Sequence, residues 1–368
     1  MAPGLESYLI VFAVAAGVTL AATPMVRRIS ERWGLMVEPG ARRVHERSTA
    51  LLGGAAMFAG FLSAIGAAWA LSDFDVVFAT ASEPVGIVIA ALVMTACGTY
   101  DDVREMSAPA KVASMVLAGS ILSFFGVTVL NLRLPVLDAL ILSQDLAFVV
   151  TVLWLVAIAN AINLIDGLDG LAAGIVAIAG LAFFAYSIKL TEEEVLLPNN
   201  IGPLIAIIAS GVAVGFLPQN FHRARIFMGD GGALFLGTLL AASTVSVGGR
   251  SSEPFAGQTY FLFAPMLIPL IILAVPVVDV LWAVLRRTRA RTSVAAPDKE
   301  HLHHRLMSLG HGHRRSVLIL WLFTALMSAL VLYPTYTEEG EVIMVPAAAV
   351  LVLMLYIVFH PILRRRTA

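Results

Sequence analysis

The feature that most constrains this chain is the recurrence of long apolar runs along its whole length, starting near Tyr8, Leu51, Pro84, Pro109, Leu146, Leu171, Ile201, Ala233, Gln258, Ser316 and Val342. Each run is about 16 to 28 residues, close to what a helix needs to cross a hydrocarbon layer about 30 Å thick. Inside that layer no water can satisfy backbone N–H and C=O groups, so such runs must close their hydrogen bonds internally as helices. With 59% of its residues hydrophobic and 13% charged, the chain has too little polar surface for a soluble domain of its length. The expected fold is an all-α integral membrane protein of about eleven transmembrane helices, one polytopic domain over residues 1–368. The run from Tyr8 to Val26 lacks a charged n-region before it and a small-residue cleavage site, so it reads as a retained span rather than a signal peptide.

Eleven spans put the termini on opposite sides, and basic residues orient them. Arg27, Arg28, Arg32, Arg42, Arg43 and Arg47 follow the first span, the segment from Arg286 to Arg315 follows the ninth, and Arg364 to Arg366 end the chain. These fall on one face together with Arg104, Lys111, Arg223 and Arg225, whereas Arg133, Lys189 and Arg250 fall on the other. The basic face is expected to be cytoplasmic, with the N-terminus outside and the C-terminus inside, in the cell's inner (plasma) membrane. A net charge of −1 and the lack of any soluble basic domain give no footing for nucleic-acid binding. The single cysteine, Cys97, sits in an apolar run and reads as packing. Alternation of β-branched residues from Val127 to Pro135 predicts a short hairpin on the outer side.

Carboxylates near a bilayer cost about 2.5 to 3.5 kcal/mol each at its centre and persist where they meet water, metal or substrate. Asp101 and Asp102, Asp166 and Asp169, and Asp230 all fall at run ends on the basic face, within loops drawn as 27–50, 101–108, 160–170, 218–232 and 286–315. One acid at a helix end is often only a cap; five on one face, with Asn160 and Asn163 beside them, argue for a shared role. Oxygen donors of this type suit Mg²⁺, with Mn²⁺ as the alternative, and Gly167, Gly170, Gly229, Gly231 and Gly232 would let backbone amides approach a phosphate. Gly53-Gly54 reads as close helix packing. His301, His303, His304 and Arg305 lie in the most basic loop, where hydrogen bonds to phosphate fit better than a zinc site without a thiolate. A transporter for an anionic solute remains a competing reading, since intramembrane acids also mark ion pathways.

The motifs Gly98 to Asp102 with Lys111, Asn160 to Gly174, Gly215 to Asp230 and His301-Leu-His303-His304 together resemble the polyprenyl-phosphate N-acetylhexosamine-1-phosphate transferase family. The His-x-His-His loop is similar to the branch using UDP-N-acetylglucosamine or a close analogue, the muramoyl-pentapeptide branch being the alternative. The resemblance implies that a lipid phosphate attacks the β-phosphate of a UDP-N-acetylhexosamine on the cytoplasmic side and releases UMP. It implies Asp230 and Asn163 as metal ligands, Phe227 against uracil with Asp169 on its edge, and Lys111, His301 and Arg305 on substrate phosphates. Asp101, Asp102, Asp166, His303 and His304 would be catalytic, Asp101 either as base or as a group that orients Lys111 and metal-bound water. The implied partners are the nucleotide sugar, a polyprenyl phosphate and the membrane, and a homodimer would be usual for such a family. Arg223 and Ala233 depart from the family's common proline and serine, which bears on loop shape and sugar preference.

Overall fold

A computed structural model describes residues 2–38, 48–134, 137–248, 267–274 and 310–337, with a few positions outside these ranges. The described helices are α1 (Leu5–Arg32), α2 (Gly53–Ala70), a short α3 (Asp75–Phe78), α4 (Ser82–Arg104), α5 (Ala108–Phe124), α6 (Gln144–Ile165), α7 (Leu171–Glu192), α8 (Gly202–Asn220), α9 (Gly229–Gly248), α10 (Leu267–Ile272) and α11 (His313–Tyr336). Eight of them are long and apolar enough to cross a membrane, and α5 is a ninth, shorter apolar helix. The expected spans starting near Gln258 and Val342 lie largely outside the described residues. The expected hairpin is present: β3 (Asn131–Leu134) pairs antiparallel with β4 (Leu137–Ile141). A second small ribbon joins β1 (Met36–Val37) to β2 (Thr49–Ala50).

Helix α9 is the axis of the bundle. Every residue from Gly231 to Gly248 is buried, and α2, α4, α6 and α8 pack around it. Small residues permit this: a Cβ on Gly237 would lie 2.6 Å from the Cα of Ala159 in α6, and one on Gly98 would lie 2.5 Å from the backbone N of Gly231. Helix α1 shows the opposite case. Its buried positions are Ser7, Tyr8, Val11, Ala15, Thr19, Thr23 and Ser30, a stripe with helical spacing, while Leu9, Ile10, Leu20 and Met25 point outward. Small and hydroxylic side chains face the protein and large apolar ones face the surroundings, the arrangement expected where those surroundings are lipid.

Three of the acids sit on helices rather than in the loops drawn from the sequence, while Asp166 and Asp169 lie in the loop between α6 and α7. Asp101 and Asp102 belong to the last turn of α4, Asn160 and Asn163 to α6, and Asp230 to the first turn of α9. Hydrogen bonds join Ser7 to Asp73 (2.6 Å) and Asn200 to the carbonyl of Ser246 (2.7 Å) at one end of the bundle. The predicted site residues that are described, Asp101, Asp102, Lys111, Asn163, Asp166, Asp169, Phe227 and Asp230, gather at the other end, which also carries Arg28, Arg32, Arg104, Arg225 and Arg314.

Candidate functional site

Four helices bring an acidic centre together. The Lys111 ammonium at the start of α5 pairs with Oδ2 of both Asp101 and Asp230. The second carboxylate oxygen of Asp101 accepts from the Met106 N–H, which ties the turn between α4 and α5 to the centre. Asn163 Nδ2 donates to Asp230 Oδ1 at 2.8 Å. Asp102 acts elsewhere, on backbone: its Oδ1 accepts from the Asp230 N–H at 2.8 Å and its Oδ2 from the Gly231 N–H at 3.2 Å. A helix leaves its first N–H groups without internal partners, and here a helix distant in sequence supplies the cap. Gly229, at φ +67°, brings its Cα against the Asp102 carboxylate, where a side chain would collide.

The other side of the same turn is held by backbone. Phe227 N donates to the Ala50 carbonyl at 2.9 Å, while Gly53 N donates to the Phe227 carbonyl at 2.9 Å and Gly54 N to that of Met228 at 3.0 Å. A Cβ on Gly54 would lie 2.5 Å from Gly232 N, and one on Gly53 2.6 Å from the Phe227 carbonyl oxygen. Gly53 and Gly54 are thus close packing, as expected, and what they pack against is the strap carrying Phe227 and Asp230.

Asp166 follows α6 directly. Burial pushes its carboxyl up to about 8, with the negative charges of Asp230, Asp102 and Asp169 adding to the rise. Lys111 is the cation held between Asp101 and Asp230, with the carboxylates of Asp102 and Asp166 close enough to add their charge. Such an excess of hard oxygen donors fits a divalent cation of the Mg²⁺ or Mn²⁺ type. Asn163 fits the same ion once its amide turns to present oxygen, an orientation set by the local hydrogen bonds.

Asp169 lies in the loop before α7, 5% exposed. Its Oδ2 accepts from the Ala224 N–H at 3.0 Å and lies 3.1 Å from His222 Nδ1 and 3.9 Å from His313 Nε2. The His222 and His313 rings stack with centroids 4.4 Å apart. Asn220 joins the same two loops, accepting from Gly170 N at 3.0 Å and donating to the Ile226 carbonyl at 3.0 Å. Phe227 is half-buried beside this loop. His301, His303, His304 and Arg305 lie outside the described residues.

The structure therefore joins Asp101, Asp102, Lys111, Asn163 and Asp230 directly, places Asp166 within electrostatic reach, and sets Asp169 on a neighbouring ridge. Sequence reasoning missed His222 and His313. His222 stands inside the Gly215 to Asp230 motif, but its tie to Asp169 spans 53 residues and leaves no spacing signature.

A sequence profile described as glycosyl transferase family 4 matches residues 84–248, the stretch that holds Asp101 through Asp230. The chain is 36% identical over 359 residues to a decaprenyl-phosphate N-acetylglucosaminephosphotransferase of Mycolicibacterium smegmatis, covering 95% of this chain and 87% of that relative. It is also 36% identical over 332 residues to a probable undecaprenyl-phosphate N-acetylglucosaminyl 1-phosphate transferase of Bacillus subtilis, covering 88% and 84% respectively. A more distant relative, the undecaprenyl-phosphate alpha-N-acetylglucosaminyl 1-phosphate transferase of Escherichia coli, is 24% identical over 340 residues, covering 90% of this chain and 84% of its own.

Proposed function

The chain belongs to glycosyl transferase family 4, and from that premise we propose that it transfers N-acetylglucosamine-1-phosphate, or a close analogue, from a UDP-sugar to a polyprenyl phosphate. UMP leaves, and the product opens a membrane-bound stage of cell-envelope polysaccharide synthesis. The names of the mycobacterial and Bacillus relatives support the acceptor and the transferred group. The observation that carries the reading is the joining of Asp101, Lys111, Asn163 and Asp230 from α4, α5, α6 and α9 at the end of the bundle where Arg28, Arg32 and Arg104 also lie.

The reaction brings two anions together, so charge control decides its rate. An oxygen of the lipid phosphate forms a bond to the β-phosphorus of the donor while the bond from that phosphorus to the bridging oxygen breaks, and the electron pair departs with UMP. Asp230 and Asn163 would hold Mg²⁺, with Asp166 close by. When bound, the ion supplies Lewis-acid stabilisation of the diphosphate. Lys111 stands between Asp101 and Asp230 and can turn its ammonium to the incoming lipid phosphate, keeping Asp101 as its anchor. That contact favours the orienting role for Asp101 over the base role, since a phosphate monoester with a second pKa near 6 is mostly dianionic at neutral pH. Asp102 positions Asp230 by capping α9 rather than touching substrate. Phe227 and Asp169 would take the uridine end, and the loop from His301 to Arg305 the sugar-phosphate end.

By the distribution of basic residues this end of the bundle faces the cytoplasm. The deciding experiment incubates washed membranes with lipid phosphate, Mg²⁺ and either UDP-N-acetylglucosamine or UDP-N-acetylmuramoyl-pentapeptide. Labelled lipid and UMP from the first donor alone are expected. Product from the pentapeptide donor alone would move the chain to the other branch, and uptake of solute without UMP would make it a transporter.

A further inference from the structure

Beside the acidic centre lies a region of opposite sign that the proposed reaction does not yet use. A cleft of about 700 Å³ is lined by His222, Arg223, Gly312, His313, Arg314 and Arg315. These side chains come from two segments about 90 residues apart, the loop after α8 and the first turn of α11. Arg314 Nη2 donates to the His222 carbonyl at 3.2 Å and the two imidazoles stack, so the cleft's walls are tied to each other. Asp169 holds the His222 ring from behind.

A cation and an anion compete for this place. Oxygen and nitrogen atoms of Asp169, His222 and His313 lie within 4.8 Å of one another, which would suit a small cation. Three guanidinium groups around the same opening oppose that, because each raises the cost of a further positive charge. The first turn of α11 carries no acid and two arginines, and its cap residue Gly312 offers no side chain. Positive side chains at that end work against the helix dipole, and an anion resting there would offset the repulsion through the arginines and the exposed N–H groups together.

We infer that this cleft is a second anion-binding subsite, separate from the acidic centre at Asp230, that takes a phosphate group of a nucleotide. The inference rests on the reading that the chain handles a nucleotide sugar. The nucleotide is favoured over a lipid headgroup because Asp169, hydrogen-bonded to His222 at the cleft wall, belongs to the same loop as Asp166, which follows directly from the helix carrying Asn163.

The test measures binding to the full chain in nanodiscs without Mg²⁺, using inorganic phosphate, UMP and uridine as probes. Arg223→Ala/Arg315→Ala is the main variant, since both side chains are exposed and their loss leaves the tie from Arg314 in place. Phosphate and UMP are expected to bind roughly tenfold more weakly to it, with uridine unchanged. The corresponding Arg→Lys pair should recover part of the loss, and Asp230→Asn should not weaken phosphate. Inorganic phosphate needs no uridine contact, so it tests the cleft even if the donor assignment fails, whereas the transfer assay above tests the donor alone. Equal phosphate affinity in wild type and the Arg→Ala pair would overturn the inference. So would a wild type that does not favour UMP over uridine while the pair loses attachment only to phosphatidylglycerol vesicles, because that result makes the patch a headgroup contact.

Discussion

Gly54 offers the sharpest test of how the strap is held. Replacing it with alanine puts a Cβ 2.5 Å from Gly232 N, 2.7 Å from Gly231 C and 2.9 Å from Gly232 Cα, all backbone atoms of the first turn of α9. No flexible side chain can swing away, so α2 and α9 must separate by about 0.9 Å to reach the 3.4 Å of ordinary contact. That movement displaces Asp230 relative to Lys111 and Asn163 while straining the bond from Gly54 N to the Met228 carbonyl. A misplacement of about 1 Å can cost on the order of 100-fold in rate, and overpacking of this kind costs about 1 to 3 kcal/mol of stability. Gly54→Ala should therefore lose about 30- to 100-fold in kcat, with a lowered melting temperature and a smaller change in KM. Gly66→Ala on the same helix is the control, because a Cβ there meets nothing within 4 Å. UMP release by purified, monodisperse protein gives the rate, and a melt of the same samples gives the stability. A Gly54→Ala enzyme with more than half the wild-type kcat and an unmoved melt would refute the argument that this contact sets the position of Asp230.

Asp230→Asn should abolish divalent-dependent transfer while Asn163→Ala loses less and recovers in part at high Mg²⁺, as measured by metal titration of UMP release; unchanged turnover by folded Asp230→Asn sinks the metal assignment. Asp166 supplies a pH prediction: its carboxyl is raised from an ordinary value near 3.8 to about 8, so the fold favours the proton and the stability this gives is lost as pH rises between those values. A cation favours the ionised form instead, so the melting-temperature gain from Mg²⁺ should be larger at pH 8.5 than at pH 6, and Asp166→Asn should flatten the difference; an equal gain at both pH values counts against the site. Asp101→Asn should show a defect that stays constant across pH, judged by the ratio of variant to wild-type rates at saturating Mg²⁺. A ratio that climbs toward one at alkaline pH would restore the base role. A membrane-impermeant label at Glu193 should react only from outside the cell and one at Glu105 only from the cytoplasm, and matching accessibility would overturn the orientation.

The membrane class, the long helices and the hairpin after Val127 were legible because each depends on local composition and period. Identification of the acids was legible as well, since a carboxylate beside a bilayer needs a reason. Their surroundings were not. Lipid and protein interior are both apolar, so hydropathy cannot distinguish α9, buried on all sides, from α1, which presents leucines outward. Asp102 looked like a partner of Asp101 in chemistry because they are neighbours in sequence, yet one helical step turns its carboxylate to the N-terminus of α9, 128 residues away. The same limit hid the meeting of His222 with His313: stacking between a loop and a distant helix start depends on how α8 and α11 lie, not on any spacing in the chain.

The burial of α9 has a mechanical consequence. A bilayer that is too thick or too thin acts on a protein through the helices it wets, tilting or stretching them at a cost of fractions of a kcal/mol per Å. Helix α9 has no wetted face between Gly231 and Gly248, so the element that carries Asp230 takes no direct load from the lipid. Thickness strain reaches it through neighbouring helices, among them α2, α4, α6 and α8, and at its first turn it is clamped by the Asp102 carboxylate and the backbone of residues 50–54. The end of the bundle that carries Asp230 is in effect a shock-mounted anvil inside a compliant sleeve.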